Sequence, residues 1–178
     1  MTLTMHQATV SPCSRALNSL AAILEKAAAY AEARKIDPAV LLNTRLAPDM
    51  LPLSAQIFIA NDIAGGGAAR LAGVEVPTFD GKDKTLPELI ANTRRTVAYL
   101  GSLKPQQFDG AEDRTINWQT RTSSKSMQGS PYLLTHVLPN VYFHVTTAYD
   151  ILRQAGLEIG KQDYLGTANL TGSHGSAG

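Results

Sequence analysis

An asparagine and a histidine four residues apart have the residue types and spacing best suited to chemistry in this sequence. They are Asn140 and His144, in the stretch LPNVYFHVTTAYDILRQAG. Residues at i and i+4 share one face of a helix, so the carboxamide and the imidazole can converge on one ligand. Imidazole is a metal ligand and a general base near neutral pH. The spacing therefore indicates either a binding site or a polar pair satisfied inside a core.

The helix that carries this pair is predicted to turn it toward the protein interior. On a helical wheel of about 100° per residue, Asn140 and His144 fall beside or inside an apolar arc, and His136 lies at its edge. The arc is formed by Leu133, Val137, Ala148, Ile151 and Ala155. A buried polar group without a partner costs about 1–3 kcal/mol, so the pair needs a partner from another helix.

Gln56 is the best candidate for that partner. It flanks the apolar stripe of an earlier predicted helix, which contains Leu53, Ile57, Ala60, Ala64 and Leu71. The predicted pocket is thus Gln56, Asn140 and His144. A divalent metal (zinc, nickel or iron) would be held by His144 with Asn140, Gln56 or His136. Carboxamides are poor ligands for such metals compared with imidazole and carboxylate, so a pocket without a metal is the alternative.

Two long helices are predicted before residue 75. Ser11 is the expected N-cap of the first, with Pro12 at the first helical position, and another helical turn, bent at the proline, is the alternative for the residues before Pro12. The second is expected from Asp49 to Leu71, with Gly73 just beyond it. Three consecutive glycines, Gly65 to Gly67, lie in its middle, and each costs about 1 kcal/mol relative to alanine. Either a close neighbouring helix or a local break would account for them.

Two more helices are predicted in the second half of the chain. A capping box starting at Thr85 begins the third, which continues to about Leu103. A long irregular loop comes next, in which TINWQTRT is extended or one strand of a short hairpin. The fourth runs from Ser130-Pro131 to near Gly156, with a kink expected at Pro139.

Bulk composition narrows the function classes. The length of 178 residues indicates one domain, placed at residues 1–166, with a small polar tail at 167–178 predicted to be disordered. The net charge of +1, without a basic stripe, argues against a nucleic-acid partner. Cys13 is the only cysteine, and neither a signal peptide nor a membrane-spanning run is evident. We therefore expect a cytoplasmic protein that does not bind a membrane.

Several motifs resemble one family. LLTHVLPNVYFHVTTAYDILRQAG is similar to the last core helix of the DinB/YfiT-like superfamily of four-helix bundles. RLAPDMLPLSAQ (Arg45 to Gln56), ARLAG (Ala69 to Gly73) and IGKQDYLG (Ile159 to Gly166) resemble an uncharacterised bacterial branch of it, a domain of unknown function. The resemblance extends from the first helix to Gly166. It implies an all-α four-helix bundle with up-down-down-up topology.

The resemblance also implies where a metal would sit. In the superfamily, two histidines at i and i+4 on the last helix and one on the second helix hold a metal. His144 matches the second of the pair, Asn140 stands at the first, and Gln56 is the polar residue nearest to the third. Members with assigned activities include thiol-dependent transferases and isomerases, and the resemblance also implies a homodimer.

Three functions are compatible with these features, and whether the protein is an enzyme stays open. One is a metal-dependent or formerly metal-dependent enzyme with His144 as ligand or general base. Another is a non-catalytic small-molecule-binding or stress-related bundle. The third is a polar layer of Asn, His and Gln that is purely structural and supports a dimer.

Overall fold

Helices dominate the computed structural model, which describes residues 2–78, 81, 83–120 and 122–166. The elements, in chain order, are α1 (Met5–Arg34), α2 (Pro38–Asn43), α3 (Leu53–Ala72), α4 (Leu86–Ser102), a 3-10 turn (Pro105–Phe108), β1 (Thr115–Gln119), β2 (Ser124–Gln128), α5 (Gly129–Pro131), a π-helical segment (Tyr132–Val137), α6 (Leu138–Gln154) and α7 (Lys161–Leu165). None of the helices among the described residues has the length and apolar character needed to cross a membrane. The predicted tail, 167–178, lies outside the described residues.

Four of these helices form the bundle. α1 packs mainly against α4 and α6, and α3 packs mainly against α6 and α4, so the four make a ring. His6 near the start of α1 hydrogen-bonds the Leu103 carbonyl just beyond α4, so these two helices are antiparallel. Tyr30 near the end of α1 donates to the Ala155 carbonyl just beyond α6, so these two are parallel. One apolar core runs through the ring.

The three glycines lie inside α3 without breaking it, and Gly67 admits a close neighbour from another segment. A Cβ atom on Gly67 would lie 2.8 Å from a methyl group of Val137, and one on Gly66 would lie 3.0 Å from the Arg70 guanidinium. Gly67 near the end of α3 thus faces the start of α6, so α3 and α6 are antiparallel. The predicted up-down-down-up four-helix bundle is confirmed.

The starts of α1 and α3 differ from the prediction. Thr4 is the N-cap of α1: its hydroxyl accepts from the backbone of Gln7, whose side chain accepts from the Thr4 N–H. Pro12 consequently lies inside the helix, and Ser11 is not its cap. The N-cap position of α3 is Pro52, so Asp49 lies in the turn before the helix. A reciprocal capping box satisfies two terminal N–H groups and outweighs a serine–proline pair further along.

Other helix ends agree with their capping signals. Thr85 and Glu88 form the predicted capping box of α4, with mutual backbone-to-side-chain hydrogen bonds. Gly73 closes α3 in the left-handed conformation, with φ of 68°. α2 lies in the connector after α1, and the Asp37 side chain caps its start.

The loop before the last long helix is more ordered than predicted. β1 and β2 pair antiparallel, with Thr115 opposite Gln128 and Gln119 opposite Ser124. TINWQ is therefore the first strand of a hairpin, which is one of the two conformations expected for this part of the loop, whereas its pairing with Ser124–Gln128 was not predicted. The sequence does not predict α7, because its five residues carry too little periodicity to reveal a helix.

The predicted disturbance at Pro139 takes the form of a π-helical turn. The segment Tyr132–Val137 precedes the proline, and the Leu138 N–H donates to the Leu133 carbonyl, five residues back. A proline ring collides with the carbonyl of residue i−4 in an ordinary α-helix. The wider π turn places that carbonyl differently, and α6 then continues from Leu138 without interruption.

Candidate functional site

The face of α6 that enters the core is apolar, and the predicted polar pair lies at its border. Val141, Val145 and Ala148 are fully buried, whereas Asn140 and His144 are not. The buried face of α6 is centred on Val141, Val145, Ala148 and Leu152, and Ala155 is only partly buried. A wheel that places the centre of the face between Ile151 and Ala155 therefore puts the polar pair deeper than the structure does.

Gln56 and His144 are brought together as predicted. The His144 Nδ1 atom and the Gln56 Oε1 atom are 2.6 Å apart, joining α3 to α6. The Gln56 Nε2 atom donates to the Leu51 carbonyl at 3.0 Å, just before α3 begins. Gln56 is almost completely buried, at 2% exposure. Its carboxamide is thus held at both ends.

This arrangement fixes the proton on the imidazole. A carbonyl can only accept, so the Gln56 amide nitrogen must face Leu51 and its oxygen must face His144. That oxygen needs a donor, so His144 carries its hydrogen on Nδ1. The lone pair of Nε2 is then left over, and none of the described residues hydrogen-bonds that atom. His144 is therefore oriented as an acceptor, a base or a ligand through Nε2.

Electrostatics keeps this imidazole neutral. Burial lowers the pKa of His144, because the charged form loses solvation. The imidazole therefore has its free lone pair over most of the physiological pH range.

The Asn140 side chain does not join the contact between Gln56 and His144. Its side-chain Nδ2 donates to the His136 carbonyl, one turn earlier on the same rod, at 2.6 Å. The described residues thus give a hydrogen-bonded pair, Gln56 and His144, with Asn140 one turn away and bonded to backbone.

His136 belongs to a separate aromatic cluster at the π-helical turn. Its ring stacks on Tyr132 with centroids 5.3 Å apart, and Trp118 of β1 lies 4.8 Å from both rings. Arg70 reaches the Tyr132 hydroxyl at 3.4 Å. Burial, together with the nearby charge of Arg70, lowers the pKa of His136. The hairpin thus covers the bundle with Trp118, and Trp118 and Arg70 are the residues near His136 that sequence reasoning did not connect to it.

The donor set does not fit the metal that the fold resemblance implies. Zinc, nickel and iron sites in proteins are built from several imidazole, thiolate or carboxylate ligands. Among the residues that the structure describes, no group of three His, Cys, Asp or Glu side chains is placed to hold a metal. Around His144 the neighbouring side chain is a carboxamide whose oxygen already accepts from the imidazole. Cys13 is fully buried, and burial raises the pKa of its thiol to about 12, so it is a core residue.

A family model described as a domain of unknown function, DUF1993, matches residues 5–165. The match extends from the start of α1 to the end of α7. The chain belongs to the DUF1993 family. The comparison with curated proteins gives no match.

A solved structure agrees with this assignment. This DUF1993 chain is similar to the crystal structure of a DinB family member from Shewanella denitrificans, at 40% sequence identity and a TM-score of 0.87. The similarity covers 95% of this chain and 96% of that one. The predicted resemblance to DinB-like bundles and to a family of unknown function is thereby confirmed.

Proposed function

We propose that this DinB-like protein binds a small polar molecule at the Gln56–His144 pair, with the His144 Nε2 atom accepting a hydrogen bond or a proton. The single observation that carries the proposal is the chain of contacts from the Leu51 carbonyl through Gln56 to His144. The buried Gln56 carboxamide selects the Nδ1–H tautomer of His144 and directs the free Nε2 lone pair away from the contact.

The site is proposed to work without the three-imidazole metal centre. Asn140 stands where the resemblance places one histidine, and Gln56 is the polar residue nearest the position of another. Neither replacement supplies a strong ligand. In this proposal the former ligand positions orient His144 and its ligand, so the protein is a degenerate relative of metal-dependent enzymes.

The tautomer itself is the first test. Nitrogen NMR of imidazole-labelled protein distinguishes a protonated Nδ1 from a protonated Nε2. We expect Nδ1–H in the native protein and a mixture of tautomers in Gln56→Leu. A predominant Nε2–H form in the native protein would contradict the proposed site.

Ligand binding is the second test. Screening small polar molecules by the shift of the His144 Nε2 resonance should give ligands whose effect is lost in Gln56→Leu but kept in His6→Gln, a control that removes a histidine elsewhere. If no molecule moves Nε2 while His144→Ala and Gln56→Leu both destabilise the fold, the polar pair is structural.

The metal content of the purified protein distinguishes a metal-dependent enzyme from the proposed metal-free site. A metal-dependent enzyme would retain zinc, nickel or iron near one equivalent when purified without an affinity tag. We expect far less than one equivalent, unchanged in His144→Ala. A stoichiometric metal lost in that variant would restore the metal-dependent function and overturn the metal-free site.

We also propose, from the family resemblance, that the protein is a homodimer in the cytoplasm. The buried free thiol of Cys13 is compatible with a reducing compartment. Sedimentation analysis at micromolar concentration tests the dimer, and cell fractionation tests the location.

A further inference from the structure

A groove with mostly apolar walls lies on the other side of α6. It lies between α1 and the continuous rod formed by the π-helical segment and α6, and it encloses about 750 Å³. Leu3, Ala8, Leu134, Leu138 and Leu165 form its apolar walls. Pockets for small molecules measure roughly 300–1,000 Å³, so this groove can hold a molecule with a chain of many carbon atoms.

The apolar walls are unusually open to solvent. Leu3 is 73% exposed, Leu134 61% and Leu165 36%. Single exposed leucines are ordinary, but several that line one concave surface indicate a site that an apolar partner covers.

The groove also has a polar portion. Arg15, Tyr142 and Tyr164 line it, and among the described lining residues Arg15 is the only charged side chain. The Arg15 Nε atom donates to the Leu165 carbonyl at 2.7 Å, which anchors the guanidinium at the rim through one nitrogen. Its two terminal nitrogens are not bonded to any described residue and can face a ligand.

The two phenols complete an anion-binding end. The Tyr164 hydroxyl accepts from Thr146 at 3.0 Å, so its own hydrogen can be donated to a ligand. Tyr142 lines the same groove as Arg15, and burial raises the pKa of its phenol, which therefore stays protonated and can donate. One cation and two neutral donors suit a single negative charge. A planar carboxylate also matches the fork of an arginine.

We propose that the groove binds an amphipathic carboxylate, such as a fatty acid of medium length. The carboxylate would lie against Arg15, Tyr142 and Tyr164, and the alkyl chain would cover Leu134 and Leu138. Burying the chain supplies affinity in proportion to the apolar area removed from water, and the guanidinium gives preference for the charged headgroup. This site is independent of Gln56 and His144, which join α3 to α6.

Displacement of a fluorescent fatty acid from the full chain tests the proposal. Dodecanoate should compete and saturate at one molecule per chain. Dodecan-1-ol, which has the same chain and no charge, should bind at least about tenfold more weakly, since hydrogen bonds to charged groups contribute more than neutral ones. Butyrate, with the headgroup and a short chain, should not compete at the same concentrations.

Variants assign the binding to this groove. Leu134→Glu places a negative charge on the exposed wall and should abolish dodecanoate binding. Val40→Glu, at a valine of similar exposure on α2 (60%), is the matched control and should bind normally. Arg15→Gln should weaken dodecanoate about tenfold or more and leave dodecan-1-ol almost unchanged, whereas Arg94→Gln, which removes an equal charge at an exposed pair with Glu25, should change neither.

Tyr142→Phe provides a second test in case Arg15→Gln disturbs the fold. It removes one hydroxyl from the groove and keeps the ring. It should weaken dodecanoate more than dodecan-1-ol. Equal affinities for acid and alcohol, unchanged binding in Leu134→Glu, association only with phospholipid vesicles, or no saturable binding would each overturn the proposal.

Discussion

The two sides of α6 present opposite kinds of surface. Toward α3, His144 meets Gln56 at hydrogen-bond distance and the packing is close enough to require Gly67. Toward α1, exposed leucines and tyrosines border an open groove. The side that stands out in the sequence carries the Gln56–His144 contact, and the side with the wider groove carries residues that no sequence motif joins. Polar residue types indicate where bonds must be satisfied, whereas open space depends on how far apart two helices pack.

The largest expected effect on stability concerns the close packing of α3 against the π-helical segment that precedes α6. Gly67→Val would push a branched side chain into Val137, and we expect a loss of about 3 kcal/mol in the free energy of unfolding, at the upper end for overpacking. Urea unfolding measures it. Gly101→Ala is the control: a Cβ there meets nothing within 4 Å, so stability should rise by up to about 1 kcal/mol through helix propensity. Equal stability of Gly67→Val and the native protein would show that the two helices are not tightly packed.

The next effect concerns the polar contact. Gln56→Leu leaves the His144 Nδ1–H and the Leu51 carbonyl without their partner, and we expect a loss of about 1–2 kcal/mol. A double-mutant cycle with His144→Ala should give a coupling energy of at least about 0.5 kcal/mol. Additive effects would mean that the contact between the two side chains does not stabilise the fold.

Lowering the pH should reduce the free energy of unfolding through His144 and His136. Burial lowers the pKa values of His144 and His136 in the folded protein. The unfolded chain then binds more protons, so the free energy of unfolding falls as the pH drops below about 6.5. Urea unfolding at about pH 7.5 and about pH 5.5 should show this fall, and the double variant His136→Gln, His144→Gln should show less of it. An equally steep fall in that variant would assign the pH dependence to other groups.

The smallest effect on stability is expected in the groove. Leu134→Glu replaces an exposed side chain, and the free energy of unfolding should change by no more than about 0.5 kcal/mol. The same substitution should remove fatty-acid binding. Leu134→Glu should therefore abolish binding while leaving the stability of the fold almost unchanged. A large loss of stability would mean that Leu134 belongs to the core and that the groove is narrower than described.

Sequence reasoning succeeded where a local pattern has a local cause. The Thr85–Glu88 capping box, the left-handed Gly73 and the long helical periodicities depend on residues within a few positions of one another. The partnership of Gln56 with His144 was also predictable, because each polar residue flanks an apolar stripe that must face a core.

The failures have longer-range causes. Asn140 was expected beside His144 in the interior, but it lies at the border of the buried face of α6 and its side chain donates to the His136 carbonyl. The groove depends on the separation of α1 from α6 and is lined by residues far apart in sequence, from Leu3 to Leu165. No periodicity in either helix specifies that distance.

The π-helical turn also affects how this chain should be aligned with its relatives. A turn of this kind accommodates one residue more than an α-helical turn, so it behaves as a single-residue insertion in an otherwise regular helix. A relative with an unbroken α-helix here would lack one residue, and the gap belongs within 132–137. An ungapped alignment through this stretch would shift every position on one side of it by one, including the column that contains His136.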